Sequence, residues 1–236
     1  MRIVSFFLRL FTLSFCFSNV LFGASISGKI TYEGKVPKFK PIKMAGDPVC
    51  MSHHADKVYP EVLVLGENNE MANIIVTVLN VPQGDYPLPK EPFLLNQKGC
   101  LYSPHVFGLR VGQSLKILNP DGTLHNVHAI PKVNSEFNMA MPKFRKVAMK
   151  KFDKKEEKPF PFKCDVHPWM TAWVGVYDHP FFAVSGKDGK YTINDLPAGK
   201  YKIQAWHEKM GTRTAEVEVT GDSATLDFVF SRPSKK

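Results

Sequence analysis

The sequence predicts an all-β protein made of two β-sandwiches. Two observations carry this. Apolar residues alternate with polar ones in short runs, and no segment sustains the 3.6-residue period of a helix. The runs are bounded by turn-forming residues, at Glu33-Gly34, Asn68-Asn69, Asn119-Pro120-Asp121-Gly122, Asp188-Gly189, Pro197-Ala198-Gly199 and Thr220-Gly221-Asp222. Short strands at such spacing are the pattern of sandwiches, and 236 residues suffice for one large or two small β domains.

Residues 1–24 read as a secretory signal peptide. Arg2 and Arg9 form a basic start, and the apolar run 10–22 is too short for a comfortable membrane span. Small residues follow at Gly23 and Ala24. Phe15 stands before Cys16, where a lipoprotein signal wants a small residue, so lipidation is disfavoured. A cleaved signal implies a secreted or periplasmic protein, with attachment at an outer surface left open.

Strands are then expected at 27–32, 62–65, 73–81, 93–96, 106–111, 114–118, 127–130, 160–164, 172–177, 191–193, 201–207, 213–219 and 224–230. The lysine-rich stretch 142–159 reads as a loop or a ragged strand with a short helical turn. Residues 82–92, with four prolines, form the clearest linker, and Asp178-His179-Pro180 forms a tighter joint. These divide the chain into blocks at 25–92, 93–179 and 180–236.

The chain carries 31 basic and 22 acidic residues, a net +9, which becomes +7 without Arg2 and Arg9. In an exported protein this is a soluble basic surface rather than a nucleic-acid footprint, and an acidic redox partner would suit it. Beyond the leader the cysteines are Cys50, Cys100 and Cys164. An exported compartment permits disulfides. An odd count leaves one thiol over. The economical assignment pairs Cys50 with Cys100 and frees Cys164. No Ser/His/Asp arrangement, phosphate-cradling loop or paired carboxylates point to bond-making chemistry, so no enzyme and no small-molecule substrate are expected.

The densest chemistry lies in Cys164-Asp165-Val166-His167-Pro168-Trp169-Met170. Thiolate, imidazole and thioether from one short loop suit copper better than other common biological metals. The set lacks a second histidine. His125 and His128 are the candidates, and residues three apart in a strand face opposite sides, so one of them serves. His105 precedes a strand and reads as a loop histidine. Asp47-Pro48-Val49-Cys50 with His53-His54 is an alternative second metal site using Cys50, in competition with the Cys50–Cys100 disulfide. Met139 and Met141 read as packing, with Cu(I) capture as the alternative.

Two resemblances organise these residues. In the last block, Ser185-Gly186-Lys187-Asp188-Gly189-Lys190-Tyr191-Thr192-Ile193 and Leu196-Pro197-Ala198-Gly199-Lys200-Tyr201 look like the second half of a carboxypeptidase regulatory-like (transthyretin-like) β-sandwich. Ser27-Gly28-Lys29-Ile30-Thr31 and Ala72-Asn73-Ile74-Ile75-Val76-Thr77-Val78 fit its opening. The resemblance implies a discontinuous sandwich, 25–92 with 180–236, into which 93–179 is inserted at an exposed turn.

The inserted block resembles the cupredoxins, type 1 copper proteins of the plastocyanin and amicyanin kind. His125-Asn126-Val127 matches their "HNV", and Cys164-x2-His167-x2-Met170, with Pro168 after the histidine, matches the short ligand loop of amicyanin. The resemblance implies a Greek-key sandwich holding one copper. His125, Cys164 and His167 would be equatorial ligands and Met170 axial. Asn126 would tie the two ligand loops together. Pro168, lacking an N–H, would deny the Cys164 sulfur a second hydrogen bond, and Trp169 would flank the site. The implied role is a one-electron carrier serving a redox protein, such as a cytochrome or dehydrogenase, within a larger assembly. Copper delivery and a purely structural or partner-binding module are the alternatives.

Overall fold

The computed structural model describes residues 23–232. The signal-peptide reading falls largely on 1–22, outside the described residues. In chain order the elements are β1 (Ala24–Glu33), α1 (Pro48–Ser52), β2 (Ile75–Val78), β3 (Phe93–Asn96), β4 (Val106–Arg110), β5 (Leu115–Leu118), β6 (His125–Ala129), β7 (Phe137–Met141), β8 (Val147–Lys150), β9 (Phe160–Lys163), β10 (Thr171–Tyr177), β11 (Phe182–Val184), β12 (Lys190–Leu196), β13 (Gly199–His207), β14 (Gly211–Val219), β15 (Ser223–Thr225) and β16 (Phe228–Ser231). The protein is all-β. No helix among the described residues is long and apolar enough to cross a membrane.

The strands form four sheets. In one, β1 lies between β12 and the pair β15 and β16, and in a second the order is β11-β2-β13-β14. Alternation along these strands aims Ile26, Ile30, Ile74, Val76, Ile193, Ile203 and Phe230 into one buried cluster. Gly28 is needed where β1 meets the 226 backbone: a Cβ there would lie 1.8 Å from the Leu226 carbonyl oxygen. Gly189 has φ +70°, the left-handed conformation that glycine adopts without steric cost.

The other two sheets have the orders β4-β10-β9-β6-β7 and β3-β5-β8. Leu95, Phe107, Leu109, Ile117, Val127, Phe162 and Val174 fill the layer between them. Chain from the first block joins this second core. Met44 and Cys50 belong to it, with Ile42 and Val58 packed alongside. Residues near 42–58 thus leave the β1–β2 unit and cover the end of the β3–β10 unit. The two units also meet through Trp173 and Trp206, whose rings lie 5.3 Å apart, and through His105 Nε2 and Glu208 Oε1 at 2.7 Å.

Several strand expectations are corrected. Residues 62–65 form no strand and contribute only a bridge between Leu65 and Met71. The expected 73–81 shortens to β2, and 224–230 divides into β15 and β16. Strands β7 and β11 were not anticipated. β7 pairs only with β6 at the sheet's edge, and its burial alternates weakly. β8 lies inside the lysine-rich stretch, in line with the ragged-strand reading of 142–159, and Ala148 alone of its residues is buried. Helix α1 is too short to leave a periodic signal; Asp47 as N-cap and Pro48 in the first turn are its local marks.

Candidate metal centre

The chemistry begins where β9 ends and β10 starts. These strands pair antiparallel, with Thr171 opposite Lys163, so residues 164–170 close a tight loop at one end of the sheet. Inside it, Cys164 N donates to Met170 O (3.2 Å) and Met170 N to His167 O (2.9 Å). His167 N donates to Cys164 Sγ at 3.4 Å. The neighbouring β6 opens with His125 at the same end. Ligand atoms of His125, Cys164 and His167 therefore lie within 4.8 Å of one another, all three residues buried. Met170 is buried in the adjoining core.

The two imidazoles face each other through Nδ1, at 3.0 Å. Their outer nitrogens each meet a carboxylate: His125 Nε2 lies 3.0 Å from Asp121 Oδ2, and His167 Nε2 lies 3.0 Å from Asp47 Oδ2. An ionised carboxylate only accepts, so each Nε2 carries the hydrogen and donates it. Each Nδ1 is then left with a lone pair aimed at the other. Two acceptors at that distance repel unless a proton or a cation lies between them. A buried thiol beside this pair completes a donor set of N, N and S. Soft and borderline donors of this kind fit copper.

The electrostatics agree. Burial works against charging the Cys164 thiol, yet the His125 hydrogen bond and nearby backbone N–H groups hold it below the usual thiol range. Burial also opposes a proton on His125, but the Asp121 and Cys164 hydrogen bonds outweigh it and raise that histidine. His167 is lowered by burial, which with the nearby His125 outweighs its hydrogen bond to Asp47.

Asp121 and Asp47 are themselves fixed. Asp121 accepts from Gly99 N (3.0 Å) and Cys100 N (2.8 Å). Asp47 caps α1 through Val49 N at 2.8 Å and accepts from Thr123 Oγ1 at 2.8 Å. The sequence links neither carboxylate to a ligand histidine; Asp47 stands there only in the alternative Cys50 site. Asp121 stands four residues before His125 inside an evident turn, and Asp47 precedes Pro48, but only the tertiary fold shows what each one holds.

The remaining expected residues fall as follows. Asn126 Oδ1 accepts from Asp165 N at 2.7 Å, and its Nδ2 donates to Asp165 Oδ2 at 3.1 Å, linking β6 to the 164–170 loop. Pro168 follows His167 within that loop. The Trp169 ring lies 5.1 Å from the His167 ring, and its Nε1 donates to Cys100 O at 3.0 Å. Cys50 and Cys100 form a disulfide, so Cys50 offers no thiolate to a metal with His53 and His54. His54 instead contacts Gly99 O at 2.7 Å. His128 points away from the cluster, to Glu136 Oε1 (2.7 Å) and Asp165 Oδ1 (3.3 Å). His105 contacts Thr171 O and Glu208. Met141 is buried and accepts from Gln97 Nε2 at 3.1 Å.

No protein-family model and no curated protein matches the chain. Among solved structures, the chain is similar to a Cu-containing nitrite reductase from Thermus scotoductus, with 22% identity over 41% of this chain and 25% of that one, and a TM-score of 0.32. It is similar to a Cu(I) mutant of amicyanin, with 18% identity over 38% of this chain and 86% of that one, and a TM-score of 0.33. It is also similar to a purple cupredoxin from Nitrosopumilus maritimus, with 20% identity over 36% of this chain and 99% of that one, and a TM-score of 0.30. Each similarity takes in less than half of this chain.

Proposed function

We propose that the protein is an exported type 1 copper protein that carries single electrons. The observation that carries this reading is the arrangement of His125, Cys164 and His167, whose ligand atoms lie within 4.8 Å with both outer imidazole nitrogens tied to carboxylates. His125, Cys164 and His167 would hold the metal, and Met170 would supply a thioether. Copper bound there would supply a one-electron couple.

The chain's own residues keep the site ready for that exchange. Asp47 and Asp121 orient the two imidazoles, so little rearrangement accompanies a change of charge. Asn126 holds the 164–170 loop against β6. Asp47, the disulfide and Trp169 screen His167 from water. This burial favours a carrier over a delivery protein, because a metal under such a cover is released slowly. The reading includes no bond-making step, and a redox protein is its partner. The basic and apolar stretch at residues 1–24 supports the export part of the reading.

Copper-loaded protein should show an intense visible thiolate-to-copper band that bleaches on reduction and returns on oxidation. Cys164→Ser should abolish it. Persistence of the band in that variant sinks the assignment. Rapid loss of copper to a chelator from otherwise blue wild-type protein would favour delivery instead.

A further inference from the structure

The edge of a copper-ligating histidine is the natural place for an electron to enter or leave, but here that edge is closed. His167 is 2% exposed. Its Nε2 is taken by Asp47 and lies 3.5 Å from Cys50 Sγ. The His125 side is equally closed, with His125 at 0% and Asp121 at 1% exposed, but an exposed turn is bound to it.

There, β7 and β8 are joined by the turn Pro142-Lys143-Phe144-Arg145-Lys146. Phe144 at its tip is 82% exposed. The turn is bound directly to the His125 surroundings. Lys146 Nζ donates to Asp121 O at 3.0 Å, and Asp121 is the carboxylate on His125. Asn119 N donates to Lys146 O (3.0 Å), and its Nδ2 donates to Met141 O (2.7 Å). Met141 in turn pairs with His125 across the strands.

The turn continues into an exposed sheet face. Leu94, Lys116 and Met149 are cross-strand neighbours on β3, β5 and β8, and Leu118 pairs with Val147 one step along. Period-2 alternation puts Leu115 and Ile117 in the core and this row outside. Leu94, Val147 and Met149 are each about half exposed. Single exposed apolar residues are ordinary, but a connected group of them marks an interaction site. The turn and β8 are basic: residues 142–152 contain Lys143, Arg145, Lys146, Lys150 and Lys151 and no acid.

We infer that the Phe144 turn and the outer face of β3-β5-β8 form the docking surface for a redox protein whose own surface is acidic around an apolar centre. The inference rests on the electron-carrier reading. An apolar centre supplies contact area while a cationic rim selects and steers an acidic partner. Contact at this turn would bring the partner against Lys146, which holds Asp121 and through it His125.

The test uses the full chain with an acidic [2Fe–2S] ferredoxin as probe and a basic c-type cytochrome as control. Ferredoxin binding is followed by fluorescence anisotropy, with and without added copper. Electron transfer from reduced ferredoxin to the copper-loaded protein is followed by stopped flow at rising salt. Phe144→Ser and Lys143→Glu/Arg145→Glu alter exposed side chains only. They should keep the wild-type visible band and melting temperature, yet weaken ferredoxin binding about tenfold or more at low salt and slow electron transfer in step. Unchanged binding and rate in both variants overturns the inference. So does a result in which the variants lose co-sedimentation with phosphatidylglycerol vesicles but keep ferredoxin binding, since the face would then serve a membrane. A wild-type protein without the visible band sinks the carrier reading, whereas the anisotropy series judges the surface regardless.

Discussion

His167 Nε2 and Asp47 Oδ2 stand 3.0 Å apart although 120 positions separate the two residues. The contact joins the loop of the candidate centre to the N-cap of α1. A carboxylate on the outer nitrogen of a ligating histidine fixes the ring and its tautomer and raises its basicity, and losing such a partner typically costs 10–100-fold in metal affinity. Asp47→Ala should therefore weaken copper binding about 10–100-fold while leaving the visible band in place, since the ligands remain. Competition with a chelator of known affinity measures this. Asp47→Asn keeps a good N-cap and removes only the charge, so it separates the electrostatic part from the fraying of α1. Equal affinities for all three proteins would show that the contact is incidental.

The disulfide holds the same cover in place. Cys50 and Cys100 close a loop of 50 positions, and on the chain-entropy estimate such a cross-link stabilises by about 4 kcal/mol. Cys50→Ala/Cys100→Ala should lower unfolding free energy by up to that amount in urea. It should also speed copper loss, because α1 is then held only by Asp47, Met44 and their neighbours. A double variant as stable as the parent, releasing copper no faster, would mean that packing alone secures the cover.

What was legible in the sequence is what local pattern encodes. Phe93–Asn96 was read to the residue because its apolar run meets turn residues on both sides. His125, Asn126, Cys164, His167 and Met170 stood out because their spacing is itself the signal. The roles of Asp47 and Asp121 escaped because a carboxylate's partner is chosen by tertiary contact: nothing near Asp47 in sequence announces His167. The packing of Met44 into the β3–β10 core was hidden for the same reason, whereas the Cys50–Cys100 pairing already tied Cys50 to that unit. β8 shows only as the ragged-strand alternative for 142–159, since Val147 and Met149 are exposed and its single buried residue is a small alanine.

The two sandwiches are joined by a buried ionic contact. His105 and Glu208 side chains are 7% and 6% exposed, 2.7 Å apart. Burial disfavours charge on His105, but the hydrogen bond to Glu208 outweighs it and raises the histidine. Removing Glu208 leaves the buried His105 Nε2 without a partner, at about 1–3 kcal/mol. Glu208→Ala should destabilise by that order, while His105→Leu/Glu208→Leu should cost much less, because well-packed apolar groups can replace a buried pair. Chemical denaturation of the single and double variants checks this. Additive losses would show that the two side chains act independently.

His179 gives the opposite sign. It sits in the joint between the units, where its Nδ1 accepts from Phe181 N at 3.1 Å. Burial lowers its pKa to about 4, with Arg110 and Lys155 acting in the same direction and Asp178 against them. An unfolded histidine titrates near the ordinary 6.5. As pH falls below 6.5 the unfolded chain takes up a proton that the folded chain refuses until about pH 4. The stability held above 6.5 is therefore lost across that window. Between pH 7.5 and 5 the loss from this group should be about 2 kcal/mol. His179→Gln keeps an acceptor for Phe181 N and cannot titrate, so its unfolding free energy should fall less over the same range by about that amount. Parallel urea curves at the two pH values decide it: identical pH dependence for variant and parent would place the titrating group elsewhere, with His207, also lowered by burial, the next to test.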